Sequence, residues 1–105
     1  MVKPQYRDQF TLAYHKQALC MARQDAKVIS RAQATLTRWQ ALRSDSPIHP
    51  CYTAWSNLLE SGVDIIENTV CVETEFAAQM RKNSPFAGVL PPEQRMALLQ
   101  QFSTP

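Results

Sequence analysis

A run of 42 residues, from position 5 to position 46, contains neither glycine nor proline. These two residue types are the strongest interrupters of helices, so the run permits a helix far longer than the average of about three turns. Apolar residues recur along it at helical spacing, and cationic residues occupy the opposite side. The sequence therefore predicts one long, basic, amphipathic helix over residues 8–43. It does not decide whether this helix is interrupted near Ser30.

The rest of the chain predicts shorter helices. Only two glycines occur in 105 residues, and apolar residues make up 45% of the chain. This composition leaves little material for β-hairpins and is sufficient for one modest core. We therefore expect an all-α fold with a single helical domain over residues 1–105. A linker at 44–50 joins the long helix to a compact helical part at 51–105, which holds three to four shorter helices. Residues 63–82 form either one helix or two.

Local signals place the starts of the shorter helices. Pro50 suits the first turn of one helix, and Pro92 begins the last one. Asp64, followed three residues later by Glu67, has the form of a capping box, and Thr74 can cap a separate turn. These positions are the expected helix starts.

A proline-rich stretch, residues 84–95, separates two helical segments. It holds three of the seven prolines and one of the two glycines. Phe86 and Leu90 are too hydrophobic for a solvated loop, and Gly88 permits a positive φ. We therefore expect residues 84–91 to form a buried connector, followed by the last helix.

Charge is distributed unevenly along the chain. Residues 1–43 carry eight Lys or Arg against two Asp, whereas residues 44–105 carry three Lys or Arg against seven Asp or Glu. Five cations of the predicted long helix fall within an arc of about 80° on a helical wheel. This basic stripe consists of Lys16, Arg23, Lys27, Arg31 and Arg38. It is either the solvated face of the helix or a contact for an acidic protein or a nucleic acid.

One segment of the long helix, residues 28–39, has a superficial likeness to the recognition helix of a helix-turn-helix. It contains Ser, Gln, Thr and Arg side chains of the kind that contact base edges. A recognition helix follows a tight turn, however, and residues 24–27 contain no predicted helix break. That lack counts against the DNA-binding interpretation.

Sequence signals for catalysis, metals and cofactors are absent. The chain has two histidines, no glycine-rich phosphate loop and no HExxH or GxSxG motif. Cys20, Cys51 and Cys71 are odd in number and far apart, so core packing is their expected role. No membrane span or signal peptide is predicted. We therefore expect a cytoplasmic, non-enzymatic protein without a metal, a cofactor or catalytic residues.

The C-terminal part resembles small bacterial helical proteins that carry an SPFAGVL motif. The shared features are an aromatic residue and a tryptophan at a helix start, a Leu-Leu pair, an acidic helix followed by a basic residue, the motif itself and a Glu-x-Arg helix. In this sequence they are Tyr52, Trp55, Leu58, Leu59, Met80, Arg81, Ser84 to Leu90 including Pro85, Phe86 and Gly88, then Glu93 and Arg95. The likeness covers residues 36–102. Two positions depart from the pattern: Pro91 replaces an expected Ser or Thr cap, and Met96 replaces an expected tryptophan.

The resemblance implies a function for the chain. The genes of such proteins look like neighbours of nucleotidyltransferase-type toxin genes in toxin–antitoxin or phage-defence operons. The implied function is an antitoxin or accessory partner, and the implied ligand is a protein such as a cognate toxin. Two alternatives stay open: a DNA-binding transcriptional regulator that uses the basic stripe, and a structural protein that forms homo-oligomers.

Overall fold

A computed structural model describes residues 7–42 and 50–102 of the protein. Within these ranges the chain forms helices and no β-strand. The helices are α1 (Arg7–Gln24), α2 (Lys27–Leu42), α3 (Pro50–Ser61), α4 (Val63–Val70), α5 (Glu75–Lys82) and α6 (Pro92–Gln101). The predicted all-α class is confirmed, and four shorter helices follow α2.

The predicted long helix is two helices, because the chain leaves helical geometry at Asp25 and Ala26. A carboxylate oxygen of Asp25 accepts a hydrogen bond from the backbone N–H of Lys27 (3.0 Å). This bond satisfies an N–H group at the start of α2 and so stabilises a new helix beginning there. The prediction for residues 8–43 is therefore correct about helix content in most of residues 8–42 and wrong about continuity, and position 43 lies outside the described residues. The break also lies earlier than Ser30.

Residues 63–82 form two helices, which answers the question left open by the sequence. Helix α4 ends at Val70, and residues 71–74 separate it from α5. The predicted cap of α5 is confirmed, since the hydroxyl oxygen of Thr74 accepts a hydrogen bond from the backbone N–H of Ala77 (3.1 Å).

Thr74→Ala is expected to lower the free energy of unfolding by about 1 kcal/mol, because the first turn of α5 loses its side-chain acceptor. Thr74 is exposed, so core packing does not contribute to this loss. Thr74→Ser keeps the oxygen and is the matched control, with an expected change of only about 0.3 kcal/mol. Urea unfolding measures both variants. Equal stability of the alanine and serine variants would contradict the cap.

The predicted capping box at the start of α4 is not formed. Gly62, with a φ of 98°, precedes the helix, and no side chain in the described part of the chain caps it. Asp64 and Glu67 instead both form ion pairs with Arg23 of α1. The two carboxylates therefore join α4 to α1 rather than closing the start of their own helix.

Prolines mark two helix starts, as predicted. Pro50 is the first residue of α3, so it belongs to that helix and not to the predicted linker 44–50. The other linker residues lie outside the described ranges. Pro92 begins α6, and Pro91 before it provides no side-chain cap, as expected from the departure at that position. Across residues 7–42 and 50–102, no helix is both long and apolar enough to span a membrane.

A continuous hydrophobic core lies between the helices, and all six contribute side chains to it. Trp55, Phe86 and Ile66 are among its largest fully buried residues. Helix α1 contacts α2, α4, α5 and α6, so it occupies the central position. The indole N–H of Trp55 donates to the backbone carbonyl of Met80 (2.9 Å), which joins α3 to α5 within the core.

The connector, residues 84–91, packs on this core as predicted. Phe86 is fully buried, and Leu90 is nearly so. The hydroxyl of Tyr14 on α1 donates to the carbonyl of Phe86 (2.9 Å) and accepts from the N–H of Leu90 (3.3 Å). Gly88 lies between these two points with a φ of 80°, a conformation that favours glycine. One α1 side chain thus holds the connector on both sides of its turn.

Candidate functional site

All five residues of the basic stripe are exposed, but the helix break divides them into two groups. Lys16 and Arg23 lie on α1, whereas Lys27, Arg31 and Arg38 lie on α2. The two groups have different neighbours in the fold. Each group therefore has to be considered separately as a contact surface.

Arg23 already has partners inside the molecule. Its guanidinium pairs with Asp64 and Glu67 of α4, at 2.9 Å from the Glu67 carboxylate. The pKa of Arg23 is raised, and the hydrogen bond to Asp64 is the largest cause. An external ligand would have to compete with these two carboxylates, so Arg23 is less available than the other stripe residues.

The α2 group adjoins the connector. Arg31 and Arg38 line a groove of about 410 Å³ together with Ala34, Thr35 and residues 87–89. Two helical turns separate the arginines, which is roughly 10 Å along the helix axis. Within the described ranges, neither arginine has a carboxylate partner and no acidic side chain lines the groove. The groove therefore offers two uncompensated positive charges beside a floor of small residues.

A second cleft, of about 280 Å³, lies where α1, α5 and the connector meet. Its lining includes the rings of Phe10, Tyr14, His15 and Trp39. It also includes Arg81, Lys82 and Arg95, which are the only Lys or Arg residues of the sequence after position 43. No acidic side chain from the described part of the chain lines it. We refer to it as the aromatic cleft.

His15 and Ser84 form a buried pair in the wall of the aromatic cleft. His15 Nε2 lies 2.7 Å from Ser84 Oγ, and His15 Nδ1 lies 2.7 Å from the carbonyl oxygen of Thr11. Because a carbonyl only accepts, the neutral imidazole carries its proton on Nδ1, and the Ser84 hydroxyl donates to Nε2. Ser84 Oγ also accepts from the N–H of Phe86 (3.1 Å). The pair ties α1 to the start of the connector.

A serine beside a histidine has the geometry of a nucleophile and its general base. The pKa of His15 is lowered to about 4, mainly by burial and to a smaller extent by the positive charge of Arg81, while the hydrogen bond to the Thr11 carbonyl acts in the opposite direction. A base with this pKa is a weak proton acceptor at neutral pH. Both groups are also buried, so these properties favour a structural role. The sequence carries no signal for the pair, since its members are 69 positions apart.

Arg81 is a buried cation at the edge of the same cleft. Its side chain is only 1% exposed, and Nη2 lies 2.9 Å from the carboxylate of Asp8. Nη1 donates to the carbonyls of Val70 (2.7 Å) and Val72 (2.9 Å), at and just beyond the end of α4. The last carbonyls of a helix have no hydrogen-bond donor within the helix, and here the guanidinium of Arg81 supplies one at the end of α4. Arg81 thereby joins α5 to both α4 and α1.

The cysteines form no disulfide in the described structure. Cys51 and Cys71 pack against the core, whereas Cys20 is exposed, so the core-packing prediction is wrong for Cys20. Burial raises the pKa of Cys71 to about 11, which keeps its thiol protonated. Among residues 7–42 and 50–102, no group of three or more His, Cys, Asp or Glu side chains is placed to hold a metal ion.

Comparison of the chain with protein-family models, with curated protein sequences and with solved structures found no match. The resemblance to SPFAGVL proteins, and the operon context that it implies, stay predictions. The binding roles of the stripe residues stay predictions as well. Function has to be argued from the two clefts and the charges around them.

Proposed function

We propose that this chain is a non-enzymatic interaction module that binds an acidic protein partner, as an antitoxin or accessory protein in the cytoplasm. The observation that carries the proposal is the groove beside the connector. There Arg31 and Arg38 are exposed and have no carboxylate partner in the described part of the chain. Arginine binds carboxylates through two parallel hydrogen bonds, so two such residues recognise a defined pair of acidic side chains.

The geometry of the groove specifies what the partner presents. Carboxylates roughly 10 Å apart match the two arginines, which means acidic residues seven positions apart on one face of a helix. Ala87 and Gly88 are exposed in the groove, and their small size lets a partner backbone approach closely. A cognate toxin with such an acidic segment is the partner that the family resemblance implies.

The double variant Arg31→Gln with Arg38→Gln is expected to weaken partner binding by roughly 10-fold or more, because two charge-assisted contacts are lost. The partner to use is the product of the neighbouring gene, co-expressed with this chain and titrated by calorimetry. Lys16→Gln with Lys27→Gln removes the same charge outside the groove and is the matched control. Equal losses in both double variants would contradict the groove, and no binding of the native chain would remove the antitoxin proposal.

A DNA-binding regulator is the second candidate, and the helix break favours it. Helix α2 begins directly after two non-helical residues, which supplies the interruption that the sequence did not predict. Ser30, Gln33 and Thr37 are exposed on α2, as base-contacting side chains require. A mobility-shift titration at two salt concentrations tests this candidate. Phosphate contacts make binding fall steeply with salt, and no binding at low salt would exclude it.

The homo-oligomer alternative has no comparable observation in its favour. A measurement of solution mass over a range of protein concentrations distinguishes it from the two candidates above. A monomer at all concentrations would remove it.

A further inference from the structure

We propose that the aromatic cleft binds a small organic anion that carries a planar ring and a phosphate group. The inference does not depend on the proposed protein partner. It follows from three properties of the cleft: its size, the side chains of its walls, and the charges that the fold leaves uncompensated there.

The size of the cleft suits one small ring with an anionic substituent. A protein cavity of roughly 150 Å³ holds a benzene molecule. The cleft is open to solvent and has a volume of about 280 Å³, which leaves room for a ring and one phosphate group. Sites for drug-sized ligands begin at roughly 300 Å³, so larger molecules would extend out of the cleft.

The walls of the cleft provide two rings held in place by neighbours outside it. Phe10 of α1 packs edge-on against Phe102, with ring centroids 6.0 Å apart. Trp39 of α2 packs against Tyr52, with centroids 5.7 Å apart. Phe10 and Trp39 are only half-buried, so each keeps ring surface that a planar ligand can cover. Rings positioned before binding lower the ordering cost of the complex.

The hydroxyl groups of the cleft are already used within the protein. Thr11 donates to the carbonyl of Arg7, Tyr14 donates to the carbonyl of Phe86, and Ser84 is bound to His15. Neutral polar ligands therefore find few available partners. The charged groups in the lining are all cations, which favours an anion.

The charge of the cleft favours a phosphate over a carboxylate. Asp8 compensates Arg81, which is buried and adds its charge only at a distance. Lys82 and Arg95 are exposed and form no ion pair within residues 7–42 and 50–102, and Asp8, which lines an adjoining pocket with Lys82, pairs with Arg81 instead. Two uncompensated cations suit a dianion, and arginine and lysine are the residues that most often bind phosphate.

Phenyl phosphate is the probe for this site, and its binding is followed by tryptophan fluorescence and calorimetry. We expect saturable binding that Lys82→Gln and Arg95→Gln each weaken by roughly 10-fold, since each removes one cation from the cleft. Lys27→Gln removes an exposed cation of α2 that does not line the cleft, and is expected to leave binding unchanged. Circular dichroism establishes that each variant is folded before it is titrated.

Phenol and benzoate separate the contributions of the ring and the charge. Phenol is expected to bind far more weakly than phenyl phosphate, and benzoate more weakly as well, because it carries a single negative charge. Phenol binding as tightly as phenyl phosphate would overturn the anion site, and benzoate binding as tightly would overturn the assignment to phosphate. If Lys27→Gln weakened the binding of phenyl phosphate as much as Lys82→Gln, the placement of the binding site in the aromatic cleft would be wrong.

Discussion

Phe86→Ala is expected to lower the free energy of unfolding by about 3–5 kcal/mol. The Phe86 ring is fully buried and lies against two other rings, with centroid distances of 5.6 Å to Trp55 and 6.0 Å to His15. Truncation to alanine removes these contacts and leaves a cavity between α1, α3 and the connector. The hydrogen bonds of Tyr14 hold the connector backbone on both sides, so the chain cannot collapse to fill that cavity.

Urea unfolding measures the effect, and two further variants define its cause. Phe86→Leu keeps much of the apolar volume but loses the ring contacts, and is expected to lower the free energy of unfolding clearly less than Phe86→Ala does. Ala87→Ser changes the next residue, which is exposed, and is expected to stay within about 0.5 kcal/mol of the native protein. A loss below about 1 kcal/mol for Phe86→Ala would mean that the connector is peripheral to the core.

The connector was the part of the fold that the sequence predicted best, for a local reason. Its prolines exclude helix, its glycine permits a positive φ, and Phe86 and Leu90 require burial, so three independent local properties agree. Thr74 is a similar case, because its cap needs only the backbone of Ala77, three residues later. Where the contacts that determine a local structure join residues close together in the chain, the sequence was sufficient to predict that structure.

The helix break at Asp25 was not predictable from propensity alone. No glycine or proline stands there, and every nearby residue is compatible with helix. Aspartate, however, can bond to the backbone two residues onward, and this alternative is realised where the chain must redirect α2. Local preference alone therefore does not distinguish a continuous helix from a break at this position.

The ion pairs of Arg23 show a second limit of local reasoning. Asp64 and Glu67 have the spacing of a capping box, and the same spacing places both carboxylates on one helix face. The pattern is therefore compatible with capping or with binding a cation on another helix. The position of α1 beside α4 selects the second arrangement, and the sequence does not encode that proximity in any short motif.

The aromatic cleft and the His15–Ser84 pair could not be predicted from the sequence, because their residues lie far apart in the chain. Phe10, Trp39 and Arg95 come from three different helices, and only the fold brings them together. Neither histidine occurs in a recognisable motif, so His15 had no predicted role. Its partner Ser84 was assigned to the family motif, where its contact with α1 could not be foreseen.

Protein stability is expected to fall by about 2 kcal/mol through His15 alone when the pH is lowered from about 7.5 to about 5. Burial, the largest cause, lowers the pKa of His15 from 6.5 in the unfolded chain to about 4 in the folded protein. Between these two values the unfolded chain binds a proton on this residue and the folded protein does not. The contribution of neutral His15 to the free energy of unfolding is therefore present above about pH 6.5 and is lost progressively as the pH falls toward 4.

Protonation of His15 also conflicts with its contacts. A charged imidazole donates from both nitrogens, whereas Nε2 now accepts from the Ser84 hydroxyl. The Ser84 hydroxyl would have to turn its proton away from Nε2 and accept there instead, in addition to the hydrogen bond that it already accepts from the N–H of Phe86. The nearby charge of Arg81 adds repulsion. The folded protein therefore resists protonation of His15 mainly through burial, with repulsion from Arg81 as a smaller cause, whereas the hydrogen bond to the Thr11 carbonyl raises the pKa and partly offsets them.

Urea unfolding at several pH values between about 5 and 7.5 measures this dependence above the range in which most carboxylates titrate. His15→Gln removes the titrating group and is expected to flatten the dependence, whereas His49→Gln, at the only other histidine of the sequence, is expected to preserve it. An NMR titration of the folded protein reports the His15 ring directly. A pKa near 6.5 there, or an unchanged dependence in His15→Gln, would contradict a neutral His15 as the link between α1 and the connector.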